Sequence, residues 1–356
     1  MSAGRPSPRS RVVLLVASAC LLLPVTASAD APVATDPERS IDELLTRAVE
    51  ASSELHYEGQ VAVVSIAEDG PRLAALSVTR ADGGLQVGQA DGDQLGRTGG
   101  EGFLQSSSRL LRVGGIERVP DQLDRLRTKY RPELTGVVDL DTGPATAVAL
   151  IDRDLEVVRE RLYADIATGL IVRRETFGAD GDPVRLVAFT QLEPGTPEIG
   201  MPSSDGRDVE EREVEPREVA RLREEGFEVP ETLGRGFELL ATLDVPDASV
   251  PTAHLVYGDG LYTVSVFQQL GRLDRRTVGS ATELTTPDGG SIWRWPGSEP
   301  RRLVWTGDGT TFTALGDAPT DELVAALAVL PTDPAPGLGD RLLRGLERLA
   351  RGLMPG

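Results

Sequence analysis

Cysteine, lysine and histidine are almost absent from this chain of 356 residues, which has one cysteine, two histidines and a single lysine, Lys129. The cysteine, Cys20, lies in an N-terminal segment with the pattern of a cleaved signal. The rest of the chain can therefore form neither a disulfide nor a cysteine nucleophile. A zinc site needs three or four histidine or cysteine ligands, and two histidines cannot supply them.

Positive charge is scarce relative to negative charge, because 56 acidic residues against 37 basic ones give a formal net charge of −19. So acidic a protein repels phosphates, which argues against nucleic acid as a partner. Aromatic residues make up only 4% of the chain, so a ligand cavity would be lined by valine, leucine and alanine. Beyond the N-terminal segment, no stretch is long and apolar enough to span a bilayer.

The segment 1–29 has the pattern of a secretory signal peptide. Three arginines precede the apolar run Val12–Val25, and Ala27-Ser28-Ala29 resembles a cleavage site. Cys20 allows a second interpretation, a lipidated cysteine, but Ala17 stands where leucine is usual and the apolar run continues past Cys20. The sequence predicts a secreted or periplasmic chain cleaved near Ala29, and losing three arginines and no acid takes its charge from −19 to −22.

The stretch Glu156–Glu193 predicts three antiparallel strands in a row. The first ends near Ala164, the second is Leu170–Phe177 and the third is Val184–Leu192. Turn residues separate them, including an Asp-Gly pair, which favours a tight hairpin. In the third strand the alternation places Val184, Leu186, Ala188 and Leu192 on one face, and Arg185 and Gln191 on the other. Helices, another sheet or a ligand must cover the apolar face of this meander.

Two domains and a tail organise the rest of the chain. The sequence predicts a first domain over 36–195, a charged and proline-rich linker over 196–216, and a second domain over 217–332. The second domain contains a hairpin around Gly258-Asp259-Gly260, because two β-rich runs flank these turn residues.

The tail 338–354 has the pattern of a basic amphipathic helix, with leucines on one face and arginines largely elsewhere. Two interpretations stand open: attachment to an anionic membrane surface or a partner, or docking on its own domain.

Groups with catalytic or ligand-binding chemistry are few. His56 and His254 each lie near a tyrosine at a strand edge, and no G-x-S-x-G elbow accompanies them, so structural roles are favoured. Three Asp-x-Asp pairs do not extend into a calcium loop, so they are interpreted as turn and strand-edge acids. The three tryptophans are typical of the core of a small β-domain. No catalytic residue, metal or cofactor is predicted, and binding is the function that remains.

Four passages of the chain resemble the MucB/RseB family, extracytoplasmic regulators of a sigma-E-type stress response whose large domain is similar to the LolA/LolB lipoprotein-carrier fold. In the meander the matching residues are Leu162, Tyr163, Asp165, Thr168, Gly169, Leu170, Arg173, Asp180, Gly181 and Phe189. The other passages match at Tyr57-Glu58-Gly59, at Pro230, Gly236 and Phe237, and at His254, Leu255, Tyr257, Asp259, Gly260, Leu261, Val264, Ser265, Val266 and Phe267. The resemblance spans roughly residues 37–332.

This resemblance implies an α+β fold, with a curved antiparallel half-barrel sheet, covering helices and a smaller α/β C-terminal domain. It also implies a protein that binds the extracytoplasmic part of a membrane-spanning anti-sigma factor and releases it when a lipid or envelope-stress signal binds. The candidates for lining the concave, lipid-binding face are Val61, Val63, Leu170, Val172, Val184 and Leu186, with ordinary core as the alternative interpretation. The candidates for the partner-facing domain are Phe237, His254, Tyr257, Val264 and Phe267.

A LolA-like carrier of lipid or lipoprotein is the alternative function. Simple carriers usually lack a second domain, so the passage Ala253–Phe267 favours the regulator.

Overall fold

The computed structural model describes residues 37–67, 70–81, 84–89, 122–195, 215–243, 250–271, 273, 278–286, 289–296, 298 and 300–333. The signal segment 1–29 with Cys20, the tail 338–354, and all but the last two residues of the linker 196–216 lie outside these ranges. The interpretations of those segments stay predictions.

An eight-stranded antiparallel sheet forms the first part of the fold, in the strand order β3-β2-β1-β8-β7-β6-β5-β4. Two meanders, β1–β3 and β4–β8, meet where β8 pairs with β1. The strands are β1 Tyr57–Ala67, β2 Gly70–Ala81, β3 Gly84–Gln89, β4 Tyr130–Leu140, β5 Gly143–Asp152, β6 Val157–Asp165, β7 Ile171–Phe177 and β8 Pro183–Pro194.

Irregular pairing curves this sheet. The register shifts in five of its strand pairs, for instance between Gln60 and Val61 in the β1–β8 pair and between Tyr163 and Ala164 in the β6–β7 pair. Each extra residue bends its strand and increases the local twist. The result is a curved antiparallel sheet, and the predicted α+β fold class is confirmed.

Helix α1, Pro37–Glu54, packs against this sheet through Ala51, which belongs to a cluster of buried residues from β1, β2 and β5–β8. Ile41, Leu45 and Ala48 are also buried, at the three- and four-residue spacing of one helix face. Helix α2, Gln122–Lys129, runs directly into β4, and its Arg127 forms an ion pair of 2.8 Å with Asp42 of α1.

A seven-stranded sheet forms the second part, in the order β12-β13-β14-β15-β11-β10-β9. Trp305 is buried there, stacks on Phe312 at 5.1 Å between ring centroids, and donates Nε1–H to the carbonyl of Pro331. The core role expected for tryptophan is confirmed for Trp305, while Trp293 and Trp295 are half-buried. The remaining elements are α3 Pro216–Glu224, β9 Glu238–Leu243, β10 Thr252–Gly258, β11 Thr263–Leu270, β12 Thr282–Thr285, β13 Ser291–Arg294, β14 Arg301–Gly307, β15 Thr310–Gly316 and α4 Thr320–Leu327.

The chain divides into two compact units. The first comprises the described residues of Met1–Glu211 together with two later segments, Gly258–Thr263 and Asp317–Glu322. The second comprises the described residues of Arg212–Tyr257, Val264–Gly316 and Leu323–Gly356. Nothing in the sequence pattern predicts that two short segments from the second half of the chain belong to the first unit.

The prediction that Val184, Leu186 and Ala188 of β8 share a face with Leu192 is wrong, because Leu192 lies on the face of Arg185. Arg185, Val187 and Phe189 pair with Ser65, Val63 and Val61 of β1, and all three are buried. Leu186 and Ala188 point to the opposite face. The reason is a bulge at Thr190, which has no Cα partner between the pairs Gln60–Gln191 and Val61–Phe189. Extrapolating the two-residue period across a bulge from Leu192 inverts every earlier assignment.

Candidate functional site

The turn between β6 and β7 is built around Asp165. Its Oδ1 accepts hydrogen bonds from the backbone N–H of Thr168 and from the Thr168 hydroxyl, both at 2.7 Å. The Thr168 hydroxyl oxygen in turn accepts a bond from the N–H of Leu170. Gly169 has φ +83°, the left-handed conformation that glycine adopts without strain. The D-x-x-T-G-L pattern therefore describes a turn whose hydrogen bonds close locally, and we call it the Asp165 turn.

Arg47 of α1 attaches the Asp165 turn to the helix. Its guanidinium donates to the carbonyls of Ile166 and Ala167, the first at 3.1 Å. A Cβ at Gly169 would lie 2.7 Å from Cγ of Arg47, so the turn backbone and the helix side chain are in close contact.

The turn between β10 and β11 is built around Asp259 and has a second connection. Oδ1 of Asp259 accepts from the backbone N–H of Leu261 at 2.9 Å and of Tyr262 at 2.6 Å. Oδ2 accepts from Lys129 Nζ at 2.6 Å and from the Tyr130 hydroxyl at 2.7 Å. Both partners lie about 130 residues earlier in the chain. We call this the Asp259 turn.

Lys129 joins the Asp259 turn to a larger group of buried charges. Its ammonium lies 2.6 Å from Oδ2 of Asp259 and 2.6 Å from Oε1 of Glu322. Arg159 approaches Glu322 at 3.4 Å and Asp321 at 3.1 Å. The side chains of Lys129, Asp259, Glu322 and Arg159 are 10%, 0%, 2% and 0% exposed. We call Lys129, Tyr130, Arg159, Asp259 and Glu322 the Lys129 cluster; all five belong to the first unit.

Charge balance makes this burial tolerable. Two cations face two buried carboxylates and the half-exposed Asp321, so each buried charge has an opposite partner. Burial, followed by the charge of Asp259, raises the pKa of Tyr130 well above its usual value, so its hydroxyl stays a donor. Burial acts to lower the pKa of Arg159, but Tyr262, Asp321 and Glu322 together raise it.

Four of the six proposed ligand-lining residues come together in the core of the first sheet. Val61, Val63, Leu170 and Val172 are each 3% exposed or less and belong to one buried cluster with Ala51 of α1. Leu55 packs against its side. We call this cluster of buried side chains the sheet core.

The other two candidates lie elsewhere. Leu186 pairs with Val64 and Glu175, on the face opposite Val63, and is half-buried. Val184 falls at the register shift between Thr176 and Phe177 and is also half-buried. The structure therefore does not bring Val184 and Leu186 together with the sheet core.

The proposed partner-facing residues of the second unit are mostly interior. Phe237, Tyr257 and Val264 have no exposed surface, and His254 is 7% exposed. His254 stacks on the half-buried Phe267 at 3.9 Å between ring centroids, and burial lowers the pKa of His254 to about 4. The Tyr257 hydroxyl donates to the carbonyl of Pro230. Of the five, Phe267 retains the most accessible surface.

Aspartates from two of the three Asp-x-Asp pairs are turn residues, as expected. Oδ1 of Asp152 accepts from the N–H groups of Asp154 and Leu155, and Oδ1 of Asp180 accepts from that of Asp182. Within the ranges described above, no group of three or more His, Cys, Asp or Glu side chains is placed to hold a metal ion. The helices of those ranges include none that is long and apolar enough to cross a membrane.

The Lys129 cluster was not predicted from the sequence. One signal was available, because Lys129 is the single lysine in a chain that otherwise uses arginine for its basic residues. A lysine retained at one position suggests a site where a compact ammonium is needed. Its partners Asp259 and Glu322 are too distant in sequence for any local pattern to identify.

Of three comparisons with known proteins, the search of solved structures found proteins similar to this chain. A scan against protein-family models and a search of curated proteins found no match. The crystal structure of MucB covers 81% of this chain and 97% of its own, at 22% identity and a TM-score of 0.45. The complex of Pseudomonas aeruginosa MucA and MucB covers 84% and 100%, at 20% identity and a TM-score of 0.45. A LolA superfamily protein from Nitrosomonas europaea covers 45% and 94%, at 10% identity and a TM-score of 0.21.

Proposed function

We propose that this chain is an extracytoplasmic regulator that binds a membrane-spanning anti-sigma factor and releases it when a lipid or envelope-stress signal binds. The observation that supports this most is the placement of the residues shared with the MucB/RseB family. Asp165, Thr168 and Gly169 build one turn, and Asp259 and Gly260 build another. Local backbone geometry depends on these five shared residues. MucB has been crystallised in complex with MucA, and this complex supports the proposed class of partner.

A lipid signal would act on the sheet core. Because Val61, Val63, Leu170 and Val172 are buried together with Ala51 of α1, a lipid chain reaches them only if α1 moves away from the sheet. Each buried methylene of that chain contributes about 0.8 kcal/mol, which offsets the loss of the contacts of α1. The lipid-bound form then has an open sheet core, and the partner-bound form a closed one.

Release follows from a difference in affinity between these two forms. A ligand shifts the equilibrium only if it binds the open form better than the closed form, and coupling of this kind is reciprocal. The anti-sigma factor therefore weakens lipid binding by the same factor by which lipid weakens the partner.

A capture experiment tests the partner. The mature chain, immobilised and incubated with solubilised membranes of its source, is expected to retain a single-span membrane protein with a cytoplasmic anti-sigma domain. Recovery of stoichiometric lipid and no such protein would favour the carrier function instead. A hydrolytic activity lost in His56→Ala or His254→Ala would contradict both.

A reversible disulfide tests the movement of α1. A Cβ at Gly169 lies 2.7 Å from Cγ of Arg47, so cysteines at these two positions have Cβ atoms at most about 4.2 Å apart, within reach of a disulfide. No other thiol remains once the signal segment is removed. The oxidised double variant should lose binding of a fluorescent fatty acid, and the reduced form should regain it. Equal binding by both forms would contradict the opening of α1.

A further inference from the structure

A groove in the second unit lies between the residues that follow α3 and those that follow α4. Its apolar lining is Phe227, Val229, Pro230, Val329 and Leu330, and its volume is about 340 Å³. Phe227, Val229 and Leu330 are buried, whereas Val329 is 55% exposed, the largest exposed fraction among the large apolar residues described. A volume near the lower end of the range for ligand pockets, about 300–1,000 Å³, admits a few apolar side chains. We call this the Val329 groove.

The described part of the second unit ends beside this groove. Leu330 lines the groove, and three residues later the N–H of Asp333 donates to the carbonyl of Thr306 at 2.7 Å. Leu338, the first residue of the tail 338–354, follows Leu330 by eight residues. Even fully extended, these eight residues span at most about 29 Å. A helix over 338–354 is about 26 Å long, so it can fold back and reach the groove. So short a tether keeps the tail at an effective concentration of about millimolar.

The charges beside the groove are opposite to those of the tail. The segment 215–231, which includes α3 and one wall of the groove, has six acidic residues and three arginines, a net charge of −3. Two of these arginines already have partners, since Arg221 pairs with Glu225 at 2.8 Å and Arg223 donates to the carbonyl of Val229. Glu228 lines the groove and is exposed. The tail has four arginines and two acidic residues, a net charge of +2. This local complementarity favours their association.

The tail also has the apolar side chains that the groove can take up. In a helix, Leu342, Leu346, Leu349 and Leu353 fall on one face, because they are three or four residues apart. An isolated helix of 17 residues is only marginally stable in water, so this face needs a partner. The exposed side chain of Val329, next to the buried Leu330, offers an apolar surface at the point that the tether reaches.

We propose that the tail 338–354 binds as a helix in the Val329 groove of its own chain, with its leucine face on Val329 and its arginines beside the carboxylates of segment 215–231. Of the two interpretations of the tail, this is docking on its own domain. The inference does not depend on the proposed function, because no other protein takes part. Docking buries Val329 and holds the four arginines of the tail against an acidic part of the same unit.

The reactivity of a single introduced thiol tests whether the tail covers the groove. Once the signal segment is removed the chain has no cysteine, so Val329→Cys carries one thiol. Val250→Cys is the matched control, since Val250 is 41% exposed and lies in the same unit. A thiol reagent should modify the Val329→Cys chain at least tenfold more slowly than the Val250→Cys chain. Equal rates would overturn the proposal.

Substitutions in the tail test whether its leucine face is responsible. Leu346→Glu, added to the Val329→Cys chain, should restore the rate of the control, because a carboxylate is not buried readily against an apolar surface. Leu343→Glu makes the same chemical change but points about 100° away from Leu342 around the helix, so the thiol should stay protected. Restoration in both variants, or in neither, would overturn the proposal. Protection that grows with protein concentration would show that the tail binds a second copy, and would also overturn it.

Hydrogen exchange of the tail distinguishes docking from attachment to a membrane. In the mature chain without lipid, amides of 338–354 should exchange at least tenfold more slowly than the same amides in Leu346→Glu. Vesicles that contain phosphatidylglycerol are then added to both proteins. Protection of the tail that appears only with these vesicles would identify it as a membrane-surface helix and would overturn the proposal.

Discussion

The Asp165 turn and the Asp259 turn use the same local chemistry and differ in what holds them. In both, Oδ1 of an aspartate accepts a backbone N–H three residues ahead, and a glycine with positive φ completes the reversal. The Asp165 turn adds a threonine hydroxyl from within the turn. The Asp259 turn adds a lysine and a tyrosine from about 130 residues away.

This difference separates two kinds of stability. The hydrogen bonds of Asp165 are made among neighbours in sequence, so they form as soon as the hairpin forms. Two of those of Asp259, from Lys129 and Tyr130, require α2 and β4 to be in place, and the loss of Lys129 leaves buried carboxylates without their cation. The Asp259 turn should therefore be the more sensitive of the two to single substitutions.

The largest expected effect is at Lys129. Lys129→Met removes the ammonium shared by Asp259 and Glu322, and should lower the free energy of unfolding of the first unit by about 3–5 kcal/mol. Arg131→Met is the matched control, since Arg131 pairs with Glu133 and Glu156 but its side chain is 43% exposed. Urea unfolding should show a loss of about 1 kcal/mol or less for the control. Similar losses in the two variants would refute the contrast between the turns.

The next largest expected effect is a loss of stability at low pH. It is caused by His254, which lies in β10, the strand before the Asp259 turn. Burial lowers the pKa of His254 to about 4, whereas the unfolded chain takes up its proton near pH 6.5. The stability contributed by the neutral ring is therefore complete above pH 6.5 and falls by about 3 kcal/mol as the pH drops to 4. His254→Phe should remove this loss. If the free energy of unfolding decreases by the same amount between pH 7 and pH 4 in both proteins, the loss is not caused by His254.

A pair of glycine substitutions sharpens the comparison. Gly260→Ala would place a Cβ 2.2 Å from the backbone nitrogen of Leu126, at a φ of +89°. Gly169→Ala would meet only the side chain of Arg47, at 2.7 Å and a φ of +83°. In both variants an alanine in the left-handed conformation should lower the free energy of unfolding by about 1–2 kcal/mol. Gly260→Ala should lower it by about 1–3 kcal/mol more, because the backbone of Leu126 cannot move aside easily. Thermal unfolding of the two variants measures the difference, and the reverse order would count against the geometry.

The smallest effect comes from replacing each aspartate by asparagine. The amide retains the acceptor needed by the turn N–H groups, so Asp165→Asn should cost less than about 1 kcal/mol. Asp259→Asn also weakens two bonds, one of them to a charged donor, and should cost about 1.5–3 kcal/mol. Equal costs, measured by urea unfolding, would mean that Lys129 contributes little to the Asp259 turn.

The sequence predicted elements where a local pattern was strong. The meander was located to within two residues at nearly every boundary, because its turns contain Asp, Thr and Gly at the positions that the geometry requires. The Asp259 hairpin was located for the same reason. Strand β4 was missed, since Pro132 and Gly136 interrupt its pattern. Such residues are tolerated on an edge strand, but the sequence does not show which strand is an edge.

Features that depend on distant pairing could not be predicted. The bulge at Thr190 is visible only once β1 is known to lie beside β8, so Leu186 and Leu192 were wrongly placed on the same face. The Lys129 cluster requires residues 129, 159, 259 and 322 to be brought together. Burial of Phe237, Tyr257 and Val264 follows from sheet packing, which a motif match does not specify.

The burial of the single lysine makes the protein its own reporter. Apart from the N-terminal amine, the ε-amino group of Lys129 is the one target for acylating reagents, and folding leaves its side chain 10% exposed. Amine-reactive dyes should therefore label the folded chain at its terminus alone. A lysine-specific protease has a single cleavage point, after residue 129, and reaches it only when the surrounding structure opens. The rate at which the two fragments appear therefore measures the rate of that opening, without any engineered probe.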